Sequence, residues 1–139
     1  MNGKSIDQFN IGDSAEFTKT ITEYDVYQYA GVTGDFNPAH IDEVYAKETF
    51  FKRRIAHGML AGGLISAVLG TSLPGPGSVY LRQELNFTAP VYFGDTVTAK
   101  VEIVDINTGK KRITLKTTCT NQDDKVVVDG EAVISLPRK

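Results

Sequence analysis

The sequence predicts an α+β domain in which one long buried helix is wrapped by a curved antiparallel sheet. An apolar stretch from Gly58 to Thr71 leaves almost no polar face, so a helix there has to be buried. From Val79 onward, apolar and polar residues alternate with a period of two, which is the pattern of strands. A helix and a sheet that bury each other's apolar faces form an α+β layer arrangement.

Length and composition limit the possible classes of protein. The 139 residues suit one domain, which we expect over residues 1–139. A hydrophobic fraction of 41% excludes disorder, and a net charge of -2 gives no general attraction to nucleic acid or anionic membranes. The sequence has no apolar run of about 18 residues, and Met1 to Phe9 lacks the apolar stretch of a signal peptide, so we expect a cytoplasmic protein. Cys119, the only cysteine, is expected to be buried.

The N-terminal half predicts a strand, a helix and a loop that overhangs the rest. Residues Ala15–Ile21 favour a strand, and Thr22 can cap a helix from about Glu23 to Val32. Regular structure should break at residues 33–38, because Pro38 disfavours the helical conformation at the residue before it. A short polar helix is expected around Asp42–Glu48.

The C-terminal half predicts the central helix and four strands in a meander. Gly62 and Gly63 each cost about 1 kcal/mol relative to alanine inside a helix, which indicates that something packs very close to both. Residues 74–77 end this helix, and residues 107–110 form a hairpin turn. The predicted strands are Val79–Phe87, Val97–Ile103, Ile113–Cys119 and Lys125–Leu136. Such a sheet has unpaired edges, so we expect a symmetric homodimer that covers them.

Both histidines of the chain lie beside other residues suited to catalysis. His40 follows Asp35 by five residues in a kinked loop, and a carboxylate with an imidazole can hold a water and move its proton. His57 and Gly58 begin the central helix, where unpaired amides favour an oxygen with developing negative charge. The alternatives are an Asp35 that caps local amides, a His40 that is merely satisfied, and a turn with a capping histidine at the helix start.

Two segments give the chain a family resemblance. The run from Tyr29 to His40 resembles the signature of the MaoC-like, or hydratase 2, family, and Arg54–Leu60 resembles its second landmark. The similarity continues through residues 73–80, 87–91 and 94–95. It implies a hot-dog fold and (R)-specific hydration of trans-2-enoyl-CoA, without metal or cofactor, with an acyl-CoA thioester as the substrate partner.

The resemblance also implies roles for individual residues. Asp35 and His40 would form the acid/base pair, and the Gly58 amide would hold the thioester oxygen. Residues implied around the substrate are Asn37, which shapes the loop, His57 and Ser66. Ala39 departs from the larger aliphatic residue usual at its position, which affects the expected substrate shape more than the chemistry.

The sequence is also compatible with two other functions. A dehydratase acting on acyl-carrier-protein thioesters would need a basic docking surface, which Lys52–Arg54 or Lys110–Arg112 could supply. Either run could instead bind the phosphates of coenzyme A or be solvated. A non-catalytic hot-dog module that binds acyl thioesters is the second alternative, since a fold does not fix a function.

Overall fold

The computed structural model describes residues 4–137 of the chain. Residues 1–3 and 138–139 lie outside the described range. The ends of the predicted domain and the first residues of the segment from Met1 to Phe9 are therefore not described. After a short 3-10 helix at Ile6–Gln8, the elements are β1 Ser14–Thr20, α1 Glu23–Thr33, α2 Pro38–Ile41, α3 Glu43–Lys47, α4 Gly58–Thr71, β2 Val79–Phe87, β3 Thr96–Asn107, β4 Arg112–Thr120 and β5 Val126–Ser135. The short helix predicted around Asp42–Glu48 is α3, and α2 is an additional short helix that was not predicted.

The five strands form one antiparallel sheet in the order β1-β3-β4-β5-β2. The prediction of a four-strand meander is wrong for β2, which pairs with β5 at one edge, while β3, β4 and β5 do form a meander. Residues 88–95 cross the end of the sheet instead of forming a hairpin, and Val91 O accepts the Ala56 N–H at 2.7 Å. Strand periodicity carries no information about which strand pairs with which.

Helix α4 packs on the concave face of the sheet, as predicted. Its inward residues Ala61, Ile65, Val68 and Leu69 are buried. Against them lie alternate residues of the central strands: Val97, Ala99, Val101, Ile103, Ile113, Leu115 and Cys119, all fully buried. Burial of each large aliphatic side chain contributes about 1.5–3 kcal/mol, so this layer is the main source of stability.

The other face of α4 is exposed in the single chain, so the prediction of a wholly buried helix holds for one side only. Gly62 fits the expected close packing, because a Cβ there would lie 3.1 Å from a methyl group of Leu85. Gly63 does not, since no described atom other than its chain neighbours and its own helix backbone lies within 4 Å of that position. Ser66 is exposed on the same side. No helix in the described range is long and apolar enough to cross a membrane.

The exposed face of α4 continues onto β2. Three apolar side chains of this edge strand are unusually exposed: Val79 at 55%, Leu81 at 46% and Phe87 at 53%. The register of β2 against β5 shifts between Tyr80 and Arg82, at Leu81. A groove of about 370 Å³ lies between the two elements, lined by Met59, Gly62, Gly63, Ser66, Tyr80, Leu81, Arg82, Gln83 and Leu85. We call this region the α4–β2 surface.

Candidate active site

The loop between α1 and α2 is shaped by its own short polar side chains. Helix α1 ends at Gly34, whose φ of 80° is left-handed. Thr33 Oγ1 accepts the Asp35 N–H at 3.2 Å, Asp35 Oδ1 accepts the Asn37 N–H at 3.1 Å, and Asn37 Oδ1 accepts the Ala39 N–H at 3.0 Å. Asn37 thereby caps α2, which starts at Pro38. The local sequence alone therefore bends the chain sharply between Gly34 and α2.

The two histidines tie this loop to the segment that precedes α4. His40 Nδ1 lies 2.7 Å from the carbonyl oxygen of Ile55, and His57 Nε2 lies 2.9 Å from the carbonyl oxygen of Asp35. The His40 ring thus bonds the backbone of the segment before α4, and the His57 ring bonds the backbone of the loop. The two ring centroids lie 3.9 Å apart. We call His40 and His57 the reciprocal histidine pair. Both are buried, at 8% and 3% exposure.

The hydrogen bond of His40 fixes which ring nitrogen carries its proton. A carbonyl oxygen only accepts, so Nδ1–H donates to Ile55 and Nε2 keeps its lone pair. Burial lowers the pKa of His40 below the ordinary 6.5, and His57 lowers it further, against the raising effects of the Ile55 carbonyl and Asp35. His40 is therefore neutral at pH 7, with a nitrogen able to accept a proton.

A cavity of about 510 Å³ opens beside this pair. Its walls are mostly apolar and come from the loop, the start of α4, the end of β2 and residues 88–91. The lining residues are Asp35, His40, Phe51, Ile55, Ala56, Gly58, Met59, Ala61, Phe87, Thr88, Ala89, Pro90, Val91 and Val128. Asp35 and His40 are the only titratable groups among these described residues. An apolar pocket with two such convergent groups has the form of a binding or catalytic site.

Gly58 lies at the cavity wall as the first residue of α4. Its N–H has no acceptor within the helix, because the first amides of a helix have no preceding turn. A Cβ at this position would lie 2.7 Å from Cδ1 of Phe87, so the glycine admits the Phe87 ring. The N-cap residue is His57, whose side chain does not cap the helix. The start of α4 therefore places a backbone donor without a helical acceptor, the Gly58 N–H, in a residue of the cavity wall.

Asp35, His40 and His57 form the one group in the described chain with the composition of a metal site, and their nearest ligand atoms lie within 4.8 Å of one another. The stacked rings do not suit a shared ion. Two imidazoles on one tetrahedral zinc, each with a Zn–N distance of about 2.1 Å, hold their ring centres about 5 Å apart. The observed 3.9 Å is shorter, so the two rings as placed do not match that geometry.

The structure brings together some of the predicted site residues and separates others. Asp35, His40 and Gly58 line the cavity, whereas Asn37, His57 and Ser66 are not among its lining residues. His57 Nδ1 is buried without a hydrogen-bond partner in the described chain, and its ring contacts His40 and Tyr29. Ser66 lies in the groove of the α4–β2 surface instead.

Sequence reasoning missed several residues that build this site. The Ile55 carbonyl orients His40, the Tyr29 ring packs on His57 at 4.6 Å, and Phe51 and Phe87 form cavity walls. Tyr29 lies within the signature run, and Ile55 lies in the second landmark. Neither position has a chemical feature that marks its role, because a main-chain carbonyl and a packing contact leave no pattern in the sequence.

Comparisons with known proteins find relatives that are similar over most of the chain. Residues 8–125 match the family described as MaoC like domain. The chain is 55% identical to an (R)-specific enoyl-CoA hydratase of Rhodospirillum rubrum, over 92% of this chain and 88% of that protein. It is 47% identical to a 3-hydroxybutyryl-CoA dehydratase of Methylorubrum extorquens, over 96% of this chain and 84% of the relative.

A solved structure with a similar fold is that of the unliganded R-hydratase PhaJ1 from Pseudomonas aeruginosa. The TM-score is 0.92 with 46% identity, and the match covers 99% of this chain and 88% of the other. This similarity confirms the predicted hot-dog fold.

Proposed function

The chain belongs to the MaoC-like domain family, and we propose that it hydrates trans-2-enoyl-CoA thioesters to (R)-3-hydroxyacyl-CoA, reversibly. The observation that carries this proposal is that Asp35, neutral His40 and Gly58 line the same mostly apolar cavity. Relatives named as (R)-specific hydratases support the substrate and the stereochemistry. We further propose one domain over residues 1–139, active in the cytoplasm without metal or organic cofactor.

His40 would be the base toward water, because its Nε2 lone pair is available while Nδ1–H is held by Ile55. Asp35 Oδ1 accepts the Asn37 amide, which leaves Oδ2 to hold the same water. As the water oxygen bonds to the β-carbon, His40 Nε2 takes one of its protons. The imidazolium then returns that proton to the α-carbon, so one water is added and the enzyme ends unchanged.

The Gly58 N–H would stabilise the charge that builds on the thioester oxygen between these two proton transfers. The electron pair of the double bond moves toward that oxygen when the β-carbon is attacked, and a fixed donor lowers the energy of this state. The positive end of the α4 dipole points the same way. Asn37 and His57 act indirectly in this mechanism, the first by capping α2 and the second by holding the Asp35 carbonyl.

The test is hydration of crotonyl-CoA by the purified protein. The reaction is monitored by the loss of enoyl absorbance, and the configuration of the product is determined by chiral analysis. We expect (R)-3-hydroxybutyryl-CoA at an unchanged rate after treatment with a chelator, because the site chemistry needs only proton transfer and a backbone donor. An (S) product or strict dependence on an added metal would overturn the proposal. Absence of turnover would favour the non-catalytic thioester-binding module.

We also propose a homodimer that covers the α4–β2 surface. This surface combines an unpaired sheet edge, exposed apolar side chains such as Leu81, and a helix face with small residues, such as Gly63, that let a second helix approach. We propose that a second copy of the chain covers this surface, because a twofold axis brings the same surface of two subunits into contact. The glycine at position 63 then has the close packing that the single chain lacks.

Leu81→Lys is expected to convert the dimer to a monomer at micromolar concentration, because it places a charge in the apolar contact. Val104→Lys is the matched control, since Val104 has a similar exposure of 40% on a different part of the sheet. Sedimentation velocity should show the control as a dimer. A monomeric wild-type protein, or a dimeric Leu81→Lys variant, would contradict the proposed interface.

A further inference from the structure

We infer that Lys52 and Arg53 form a subsite for the nucleotide phosphates of coenzyme A beside the opening of the cavity. This inference rests on the proposed function and extends it, because it assigns the part of the substrate that does not react. The chain has two short basic runs, Lys52–Arg54 and Lys110–Arg112, and the sequence alone does not distinguish them. In the structure, the two runs have different surroundings.

Lys110–Arg112 lies at the wrong end of the sheet. Arg112 pairs with Ser135, which in turn pairs with Val79 at the start of β2. The cavity is at the other end, where Phe87 pairs with Val128 and both line its wall. The eight residue-to-residue steps from Val79 to Phe87 correspond to roughly 26 Å of extended strand, so this run is remote from the cavity.

Arg54 is already bound within the protein. Its Nε lies 2.8 Å from Glu43 Oε2, and its Nη1 lies 3.1 Å from Glu23 Oε1 and 2.6 Å from the Tyr27 hydroxyl. The guanidinium also lies 4.7 Å from the centre of the Phe93 ring. Two carboxylates therefore neutralise this side chain, and its role is to join α1 and α3 to the segment before α4.

Lys52 and Arg53 are the remaining cations of that run. Both are exposed, and neither forms an ion pair with a residue of the described chain. They lie between Phe51 and Ile55, which both line the cavity, so their backbone forms part of its margin. Lys125, near the wall formed by Val128, directly follows the acidic Asp123 and Asp124 in the sequence. Lys52 and Arg53 are therefore two adjacent cations without an ion pair in the described chain, next in sequence to residues of the cavity wall.

The position of Arg53 is fixed in a way that suits phosphate binding. Its guanidinium carbon lies 3.8 Å from the centre of the Tyr92 ring, and the Tyr92 hydroxyl donates to Phe51 O at 3.4 Å. Stacking holds the planar group and leaves its edge N–H donors available for two phosphate oxygens. A side chain that is ordered before binding loses less entropy when the ligand arrives. Coenzyme A carries more phosphate charge than a carrier-bound phosphopantetheine, so we commit to the coenzyme.

The experiment compares two substrates that share the reacting end. Crotonyl-CoA carries the nucleotide phosphates, and crotonyl-pantetheine lacks them. For Arg53→Gln and Lys52→Gln we expect KM for crotonyl-CoA to rise about 10-fold each, the effect of one charge-assisted hydrogen bond, with kcat unchanged. KM for crotonyl-pantetheine should stay at the wild-type value. Lys110→Gln is the matched control and should change neither KM.

Equal KM increases for both substrates would overturn the inference, because they would indicate a disturbed cavity wall. Unchanged KM values would overturn it as well, and a selective loss with crotonyl-carrier protein would replace it with a protein docking site. Calorimetric titration with free coenzyme A separates this inference from the proposed function. If the wild-type protein hydrates neither substrate but binds coenzyme A at least about 10-fold more tightly than Arg53→Gln, the subsite stands and the proposed reaction fails.

Discussion

Replacement of Asp35 by Asn or of His40 by Gln is expected to lower kcat/KM by at least about 100-fold, the lower end of the contribution of an acid/base group. Asn at position 35 keeps the shape of the loop but loses the charge that holds the water. Gln at position 40 has no nitrogen lone pair to take the proton. The double variant should lose much less than the product of the two single losses, because both groups act on one water.

The pH dependence of the same reaction checks the role given to His40. Since burial lowers its pKa, the neutral base is present at pH 7 and is lost only as the pH falls below the ordinary 6.5. Wild-type kcat/KM should therefore decrease on the acid side with a midpoint below 6.5, and the residual activity of His40→Gln should lack this decrease. Glu48→Gln, an exposed carboxylate change outside the cavity, should behave as the wild type.

Stability measurements must accompany these variants. Asp35 is exposed, so Asp35→Asn should leave the melting temperature nearly unchanged. His40 is buried and bonded to Ile55, so His40→Gln should reduce the free energy of unfolding by about 1–3 kcal/mol while the fold survives. A folded single variant with near wild-type turnover would overturn the mechanism and favour the thioester-binding module.

Gly58→Ala is expected to reduce kcat by about 100- to 1,000-fold, the effect of losing one oxyanion donor. The added methyl would lie 2.7 Å from Phe87 Cδ1, so the ring or the start of α4 has to move. Either movement displaces the Gly58 N–H from the thioester oxygen. Single-turnover kinetics with crotonyl-CoA would measure the loss in the chemical step.

Gly31→Ala is the control for this change. Gly31 lies inside helix α1, and no described atom other than its chain neighbours and its own helix backbone lies within 4 Å of the added Cβ. Alanine there should keep full activity and stabilise the helix by up to about 1 kcal/mol. If Gly58→Ala retained wild-type kcat with an unchanged structure, the Gly58 amide would not be the oxyanion donor.

Local sequence signals predicted the elements well and their arrangement less well. Thr22 caps α1 as expected and α4 spans the predicted range, because caps and apolar runs act within a few residues. The place of β2 beside β5 depends on contacts between residues far apart in sequence, such as Phe87 with Val128, and a period of two fits any partner. The exposed side of α4 was not predicted, since an all-apolar helix looks the same whether its own chain or a second copy covers it.

Residues with distinctive chemistry at the cavity could be predicted from the sequence, whereas the residues that position them could not. Asp35, His40 and Gly58, which line the cavity, could be proposed from the sequence because their chemistry and their place near turns are unusual. His57 was expected at the substrate, but its Nε2 bonds the Asp35 backbone and its ring packs on His40. Ser66 was expected near the reacting groups and lies in the groove of the α4–β2 surface. Side-chain direction, which decides both cases, is set by the tertiary structure.

The reciprocal histidine pair divides the molecule into parts of unequal local stability. The loop of residues 34–37 is exposed throughout and is joined to the segment before α4 by the bond from His57 to Asp35, whereas the sheet and α4 share a continuous apolar core. Local opening of this loop breaks few contacts and so requires much less free energy than global unfolding. The chain can therefore lose and regain the proposed catalytic geometry within the folded state. Resistance to heat or denaturant, measured on the whole fold, reports on the sheet and says little about how long the active site stays assembled.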